Sequence, residues 1–312
     1  MVMAEKGDIP YRTFGRTGEK VSIVGLGGYH IGASNLNEKE SIRIIRAAID
    51  NGINFMDNSW DYNGGVSELR MGKALQDGYR DKVFLMTKID GQYKETAEKQ
   101  IQESLHRLQT DQIDLLQFHE IIRIDDCFRI FEEGGAIEAV LEAKKDGKIR
   151  YIGFTGHKNP AIHLKMLKMG FKNKFIFDAV QMPLNVMDPH FESFEKNVLP
   201  VLEKHDIGVI AMKPFADGQI LKSKTVRPEE CLRYVMSLPI DVMVTGCDSY
   251  TILDQALGVA RNLQIMTQTE RKTLLDRTAD AGQNGRFEPY KITQHHDSTI
   301  FNPQWLGIKA KS

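Results

Sequence analysis

Three short apolar runs each close on a side chain that can carry charge. Asp57 ends residues 54–57, Lys88 ends 83–88 and His119 ends 113–119, while Tyr62 follows Asp57 by five residues. Together these four could move a proton. An ammonium facing a carboxylate is neutralised, so Asp57 and Lys88 can share a pocket without an uncompensated charge. A phenol beside that lysine would feel its charge, which favours the phenolate and lowers the pKa from about 10. Such a phenol can give or take a proton near neutral pH, and an imidazole can orient or polarise a carbonyl oxygen. Taken singly, each residue has a plainer reading: a structural ion pair, a core histidine, a loop tyrosine. Chemistry requires that they converge.

Convergence depends on the elements that carry them. Eight short apolar runs punctuate the chain: 23–27, 54–57, 83–88, 113–119, 149–155, 179–181, 208–212 and 241–245. Most are continuous rather than alternating, as expected of strands covered on both faces. Amphipathic segments at 38–51, 96–108, 135–146, 228–237 and 252–260 lie between them. In 135–146, Ile137, Val140 and Leu141 mark the buried face; in 228–237, Pro228 suits a first helical turn. Unbroken strand–helix alternation implies a parallel sheet with right-handed crossovers. Eight units in one chain of this length predict an α/β fold, a closed (β/α)8 TIM barrel over about 23–260. An N-terminal β-hairpin, 11–14 with 20–23 around Gly15 and Gly18, precedes it. A C-terminal tail, 261–312, follows; from 282 on it has no clear periodicity and could lie over either end. The whole of 1–312 reads as one domain. Active sites of such barrels lie at the carboxyl ends of the strands. There stand Asp57, Lys88 and His119, with Thr155, Gln181, Lys213 and Cys247-Asp248 ending the later units.

Composition excludes other classes. The 312 residues carry 41 basic and 42 acidic side chains, a net charge of −1, and are 41% hydrophobic. That suits a globular protein and leaves no electrostatic footprint for nucleic acid. No apolar run approaches the ~18 residues of a membrane span, and the first residues lack a signal-like stretch. Cys127, Cys231 and Cys247 are far apart, which argues against a disulfide framework, a cysteine zinc site or an iron–sulfur cluster. A cytoplasmic enzyme is the expectation. A metal-dependent barrel hydrolase would want H-x-H after an early strand; none occurs, and no metal site is expected. After Gly25 and Gly27 the third slot of a dinucleotide fingerprint holds His30, so a Rossmann loop is not expected either.

Taken together, the motifs resemble the aldo-keto reductases over roughly residues 10–260. The resemblance rests on the hairpin, on Gly25-Leu26-Gly27-Gly28-Tyr29, and on Asn54-Phe55-Met56-Asp57-Asn58-Ser59 with Tyr62 and Lys88. It extends through Asp111-Gln112-Ile113-Asp114-Leu115-Leu116-Gln117-Phe118-His119, Ile152-Gly153-Phe154-Thr155 and Gln181-Met182-Pro183-Leu184-Asn185. It implies an NAD(P)(H)-dependent oxidoreductase that reduces aldehydes or ketones, or oxidises the corresponding alcohols, sugar-like ones included. It also implies Tyr62 as general acid/base, Lys88 tuning it, Asp57 pairing with Lys88, and His119 positioning the carbonyl. On the cofactor side it implies Gly28, Tyr29 and Asp57 near the nicotinamide, Thr155 and Gln181 at its carboxamide, and Met212 packing there. Lys213 and Pro214 would meet the pyrophosphate, with Gly246 and Asp248 toward the ribose. NADP is expected slightly ahead of NAD.

Three departures from the family pattern stand out. Thr155-Gly156-His157 replaces a common Ser-Asn. Met212 replaces a common aromatic. Gly246-Cys247-Asp248 stands where NADP-preferring members often carry bases. His30, Trp60, Tyr93 and Glu120 are expected with His119 on the substrate side. The partner would be a small carbonyl or alcohol, with no nucleic acid and no membrane; oligomeric state is not legible. A cofactor-binding regulatory subunit with little turnover is the alternative reading.

Overall fold

A computed structural model describes residues 8–307. The hairpin pairs β1 (Tyr11–Thr13) antiparallel with β2 (Lys20–Ser22). Eight strands follow: β3 (Val24–Gly27), β4 (Phe55–Asp57), β5 (Phe84–Ile89), β6 (Ile113–Phe118), β7 (Ile149–Thr155), β8 (Ala179–Pro183), β9 (Gly208–Met212) and β10 (Val242–Gly246). Each is parallel to the next, and β10 pairs with β3 as well as β9, which closes the barrel. The apolar runs of the sequence are these strands, within a residue or two.

Strand side chains alternate, so each strand feeds two cores. Inside the barrel, Phe55, Phe84, Met86, Leu115, Ala179, Ile210, Val242 and Val244 pack with Phe14 and Val21 of the hairpin. The Phe14 ring lies 5.8 Å from Phe55 and 5.4 Å from Phe84, edge-on to both. It plugs the amino end and is fully buried, an arrangement that stabilises by roughly 1.5–3 kcal/mol for a side chain of this kind. Gly208 makes room for it, since a Cβ there would come within 2.8 Å of the ring.

Outside, helices cover the strands with the faces the sequence marked. Ile44, Ile45 and Ala48 of Glu38–Asp50 are buried, as are Ile101, Leu105 and Leu108 of Lys94–Leu108. Asn37 caps the first of these, its side chain accepting from the Glu40 N–H at 2.9 Å. In Ala136–Lys145, Ile137 and Val140 are buried but Leu141 is 44% exposed. The buried arc is centred between Ala136 and Val140, and a step of 100° carries Leu141 past its edge.

The tail lies over the carboxyl end of the barrel. After the helix Gln268–Gly282 come the short turns Pro289–Ile292 and Ser298–Phe301. Polar contacts rather than an apolar stripe hold them down, which is why the sequence shows no period there. Asn185 donates to Glu288 at 3.1 Å and to Tyr290 at 2.9 Å. Lys291 is fully buried between Asp188 (2.8 Å) and Glu288 (3.0 Å). Asp297 pairs with His157 at 2.9 Å and Lys158 at 2.7 Å. Farther on, Trp305 packs edge-on against Trp60 at 5.7 Å, and its carbonyl accepts from Gln100 at 3.0 Å. The tail thus crosses from the end of β8 to the end of β5. Among the described residues no helix is long and apolar enough to cross a membrane. The three cysteines are free and buried.

Candidate active site

Strands β4, β5 and β6 are neighbours in the barrel, so Asp57, Lys88 and His119 reach one pocket from adjacent staves. Lys88 is almost wholly buried and all three of its donors are used. Nζ bonds Asp57 Oδ1, donates to the Asn58 carbonyl at 2.6 Å, and donates to the Tyr62 hydroxyl oxygen at 3.2 Å. The other oxygen of Asp57 accepts from Gln181 Nε2 at 2.6 Å. Asp57 is therefore pinned on both oxygens.

Tyr62 comes from the loop after β4. That loop turns sharply: Asn63, Gly64 and Gly65 all have positive φ, and the chain then enters Val66–Ala74. Gly65 is needed twice over. Its φ of +88° suits glycine, and a Cβ would meet the Arg107 guanidinium at 2.6 Å. The phenol departs from the expected direction. Its pKa is raised well above the ordinary value, first by burial, then by Asp57, Asp61, Glu120 and Asp90. Burial and these carboxylates outweigh the lowering anticipated from Lys88, because Asp57 offsets much of the ammonium's charge. At neutral pH Tyr62 is a phenol and a donor.

His119 is gripped at one nitrogen. Nδ1 lies 3.0 Å from Asp90 Oδ1 and 3.3 Å from Asp61 Oδ1. Burial works against its protonation, yet the two carboxylates win and push it up to about 10. Burial, then Asp61, pushes Asp90 up to about 7 against the pull of His119. Asp61 is drawn below the usual range: burial opposes, but His119 and Ser59 prevail. Neither aspartate was singled out in the sequence. Their only signal was adjacency, one residue before Tyr62 and two after Lys88.

The remaining expected residues are distributed around the mouth. Gly28 touches the end of β4 so closely that a Cβ would lie 2.5 Å from the Asp57 carbonyl. Tyr29 is 56% exposed and packs edge-on to Tyr62 at 5.5 Å. Thr155 and Gln181 are register partners on β7 and β8. Among the described residues, Thr155 Oγ1 reaches only Met212 Sδ, at 3.9 Å, and Gln181 Oε1 is buried without a partner. Lys213 has a positive φ of 57° and places Nζ 5.4 Å from the Tyr290 ring centre; Pro214, next in the chain, is buried. The His30 ring sits against Gly246, where a Cβ would come within 2.1 Å of Nδ1, so His30 fills the volume a side chain at 246 would take. Asp248 is partly buried beside Ser249, which caps Tyr250–Arg261. Cys247 is packed, its thiol pushed up to about 12 by burial and Asp248, which makes it inert.

Two expected substrate-side residues, Glu120 and Trp60, are committed elsewhere. Glu120 accepts from the Ser298 and Thr299 N–H groups at 2.9 and 2.8 Å, so its carboxylate anchors the tail instead of facing the mouth. Trp60 donates to Glu103 at 2.6 Å and packs on Trp305, which makes it part of the wall. Tyr93 begins Lys94–Leu108, its backbone bridged to Gly135.

A closed (β/α)8 barrel whose charged side chains gather at the carboxyl mouth belongs to the barrel enzymes. The aldo/keto reductase family model matches residues 23–236, and the chain belongs to that family of carbonyl oxidoreductases, which use nicotinamide cofactors. Among curated relatives, L-galactose dehydrogenase of Arabidopsis thaliana is 34% identical over 229 residues, 67% of this chain and 66% of that one. Aldo-keto reductase YhdN of Bacillus subtilis is 32% identical over 236 residues, 69% of this chain and 65% of that one. In both cases the match spans just under two thirds of the relative's length. Of solved structures, the holo form of aldo-keto reductase AKR11C1 from Bacillus halodurans superposes with a TM-score of 0.70 at 23% identity, covering 86% of this chain and 96% of that one. At that identity the likeness concerns the fold.

Proposed function

We propose that the protein is a nicotinamide-dependent carbonyl reductase, or an alcohol dehydrogenase in the reverse direction, acting on a small, neutral, hydroxylated compound. One observation carries the reading: the Lys88 ammonium bonded at once to Asp57, the Asn58 carbonyl and the Tyr62 hydroxyl. When bound, the nicotinamide supplies the hydride chemistry. The residues present fit such a group. A buried polar atom without a partner is uncommon, and Gln181 Oε1, beside a Thr155 hydroxyl with one weak contact, is suited to pair with a carboxamide. Gly28, Tyr29, Asp57 and Met212 would border the ring, and Lys213 and Pro214 the pyrophosphate. The imidazole of His30 over Gly246 supports NADP(H) slightly ahead of NAD(H), with Asp248 pulling the other way.

The chain's own chemistry is proton transfer. Tyr62, held as a phenol, gives its proton to the carbonyl oxygen as that oxygen gains charge. The phenolate left behind is stabilised by the Lys88 Nζ already 3.2 Å away, which needs no rearrangement. In the oxidative direction the same atom takes the proton back. His119, its ring centre 5.8 Å from that of Tyr62, holds the oxygen from the other side. Asp57, Asp61 and Asp90 outnumber Lys88 and His119 here, which disfavours anionic substrates. The plant relative's name and this polar lining support a sugar-like compound.

Titration of the fluorescence of NADPH and NADH, followed by turnover on a carbonyl panel, tests the reading. Tyr62→Phe should lower reduction by ~10²–10⁴, the range for lost general acid catalysis, and leave cofactor affinity intact. Undiminished turnover in that variant would refute the role. Binding without turnover on any carbonyl would favour a regulatory subunit.

A further inference from the structure

The grip on His119 is more specific than holding a ring in place requires. Two carboxylate oxygens, of Asp90 and Asp61, stand 3.0 and 3.3 Å from Nδ1. The Ser59 hydroxyl, also 3.3 Å away, is turned to Asp61 Oδ1 at 2.5 Å. Asp61, which accepts the Ser59 hydroxyl and is held low, cannot donate, so the hydrogen between it and the ring must reside on Nδ1. The structure gives Nε2 no protein partner among the described residues, and it is left for the cavity.

The charge balance points the same way. Asp90 is buried and its Oδ2 has no partner among the described residues. The other ionisable groups facing the ring are spoken for: Asp57 by Lys88, Glu120 by two tail N–H groups, and Tyr62 as a neutral phenol. A buried charge needs a paired opposite, and the imidazole is the one neighbour able to supply it to both aspartates.

We propose that Asp61 and Asp90 are positioning residues that keep His119 an imidazolium across the neutral range, with Nε2–H aimed at the substrate oxygen. His119 then acts as a fixed cationic donor and takes no part in the proton count of turnover. This rests on Tyr62 being the proton donor. The directions on the individual groups agree. Asp90 takes up a proton near 7, while Asp61, held low, retains the cation on His119.

The test begins with histidine ¹⁵N NMR of the cofactor-free protein from pH 5.5 to 8.5, with His119→Gln to assign the signal. Both ring nitrogens of His119 should read as protonated throughout. In Asp61→Asn/Asp90→Asn the ring should titrate at least one pH unit inside that range. The same variant's kcat/KM for carbonyl reduction should acquire a limb falling about tenfold per pH unit above that point. Its affinity for NADPH should not change, and Asp90→Glu should restore the flat profile. A neutral His119 at pH 7 in the wild-type protein overturns the proposal, whether or not the double variant folds. An unaltered pH profile in a folded double variant overturns it as well. An imidazolium in a protein that reduces no carbonyl supports the clamp and defeats the assigned reaction, so the two failures are distinct.

Discussion

Replacing Lys88 by methionine separates the two tasks the ammonium performs. The substitution keeps the volume and removes the charge. It leaves Asp57 buried with Gln181 as its remaining side-chain partner. Breaking a buried pair by deleting one member costs about 3–5 kcal/mol of stability, because the other charge is left uncompensated. The same ammonium lies 3.2 Å from the Tyr62 oxygen, where negative charge develops in reduction and is consumed in oxidation. At an effective dielectric of ~20, that separation corresponds to about 5 kcal/mol for an unpaired ammonium, and with Asp57 offsetting part of the charge the rate loss expected is roughly 10²–10³-fold. The double variant Lys88→Met/Asp57→Asn discriminates between the tasks. It removes both charges, so chemical denaturation should show most of the stability regained, while turnover stays low. Turnover within tenfold of wild type in Lys88→Met would refute the argument. Recovery of rate together with stability in the double variant would do the same, since the lysine would then have served the fold alone.

Three further outcomes follow from particular contacts. Lys291→Met leaves Asp188 and Glu288 facing each other in a buried site, and should cost about 3–5 kcal/mol by urea denaturation. An unchanged midpoint would show that the tail's ion triad does not hold it. Gly246→Ala drives a Cβ into the His30 ring and should weaken NADPH binding several-fold more than NADH binding; equal effects on both would remove His30 from cofactor selection. Glu120→Gln should weaken two charge-assisted bonds by about 1–3 kcal/mol together. Hydrogen exchange at 298–306 should then quicken while the chemical step is spared.

How much of the site was legible depends on the range of the interaction that defines each residue. Asp57, Lys88 and His119 were readable because a parallel barrel puts every strand's carboxyl end at one mouth. Once the apolar runs named the strands, their final residues were placed by topology. Thr155 and Gln181 followed by the same rule, and their register pairing shows it. Asp61 and Asp90 were not readable. Each is an unremarkable loop carboxylate until two loops bring both to one nitrogen of His119. Glu120 read as a mouth residue because the chain that covers it lies some 180 positions away in sequence, as the contacts with Ser298 and Thr299 show.

The sequence by itself determined the architecture and the residues at the mouth. Hydrophobic periodicity is a local property, and eight local strand–helix units leave one closed arrangement. Tertiary structure alone decided the protonation of those residues and the placement of the tail. The direction of the Tyr62 shift is the balance of burial and carboxylates from three segments against one lysine whose charge Asp57 largely offsets. The tail's side of the barrel rests on polar partners, His157, Asp188 and Glu120, that no period in the sequence connects to it. Electrostatics and polar pairing are sums over neighbours in space, and those neighbours exist only once the chain has folded.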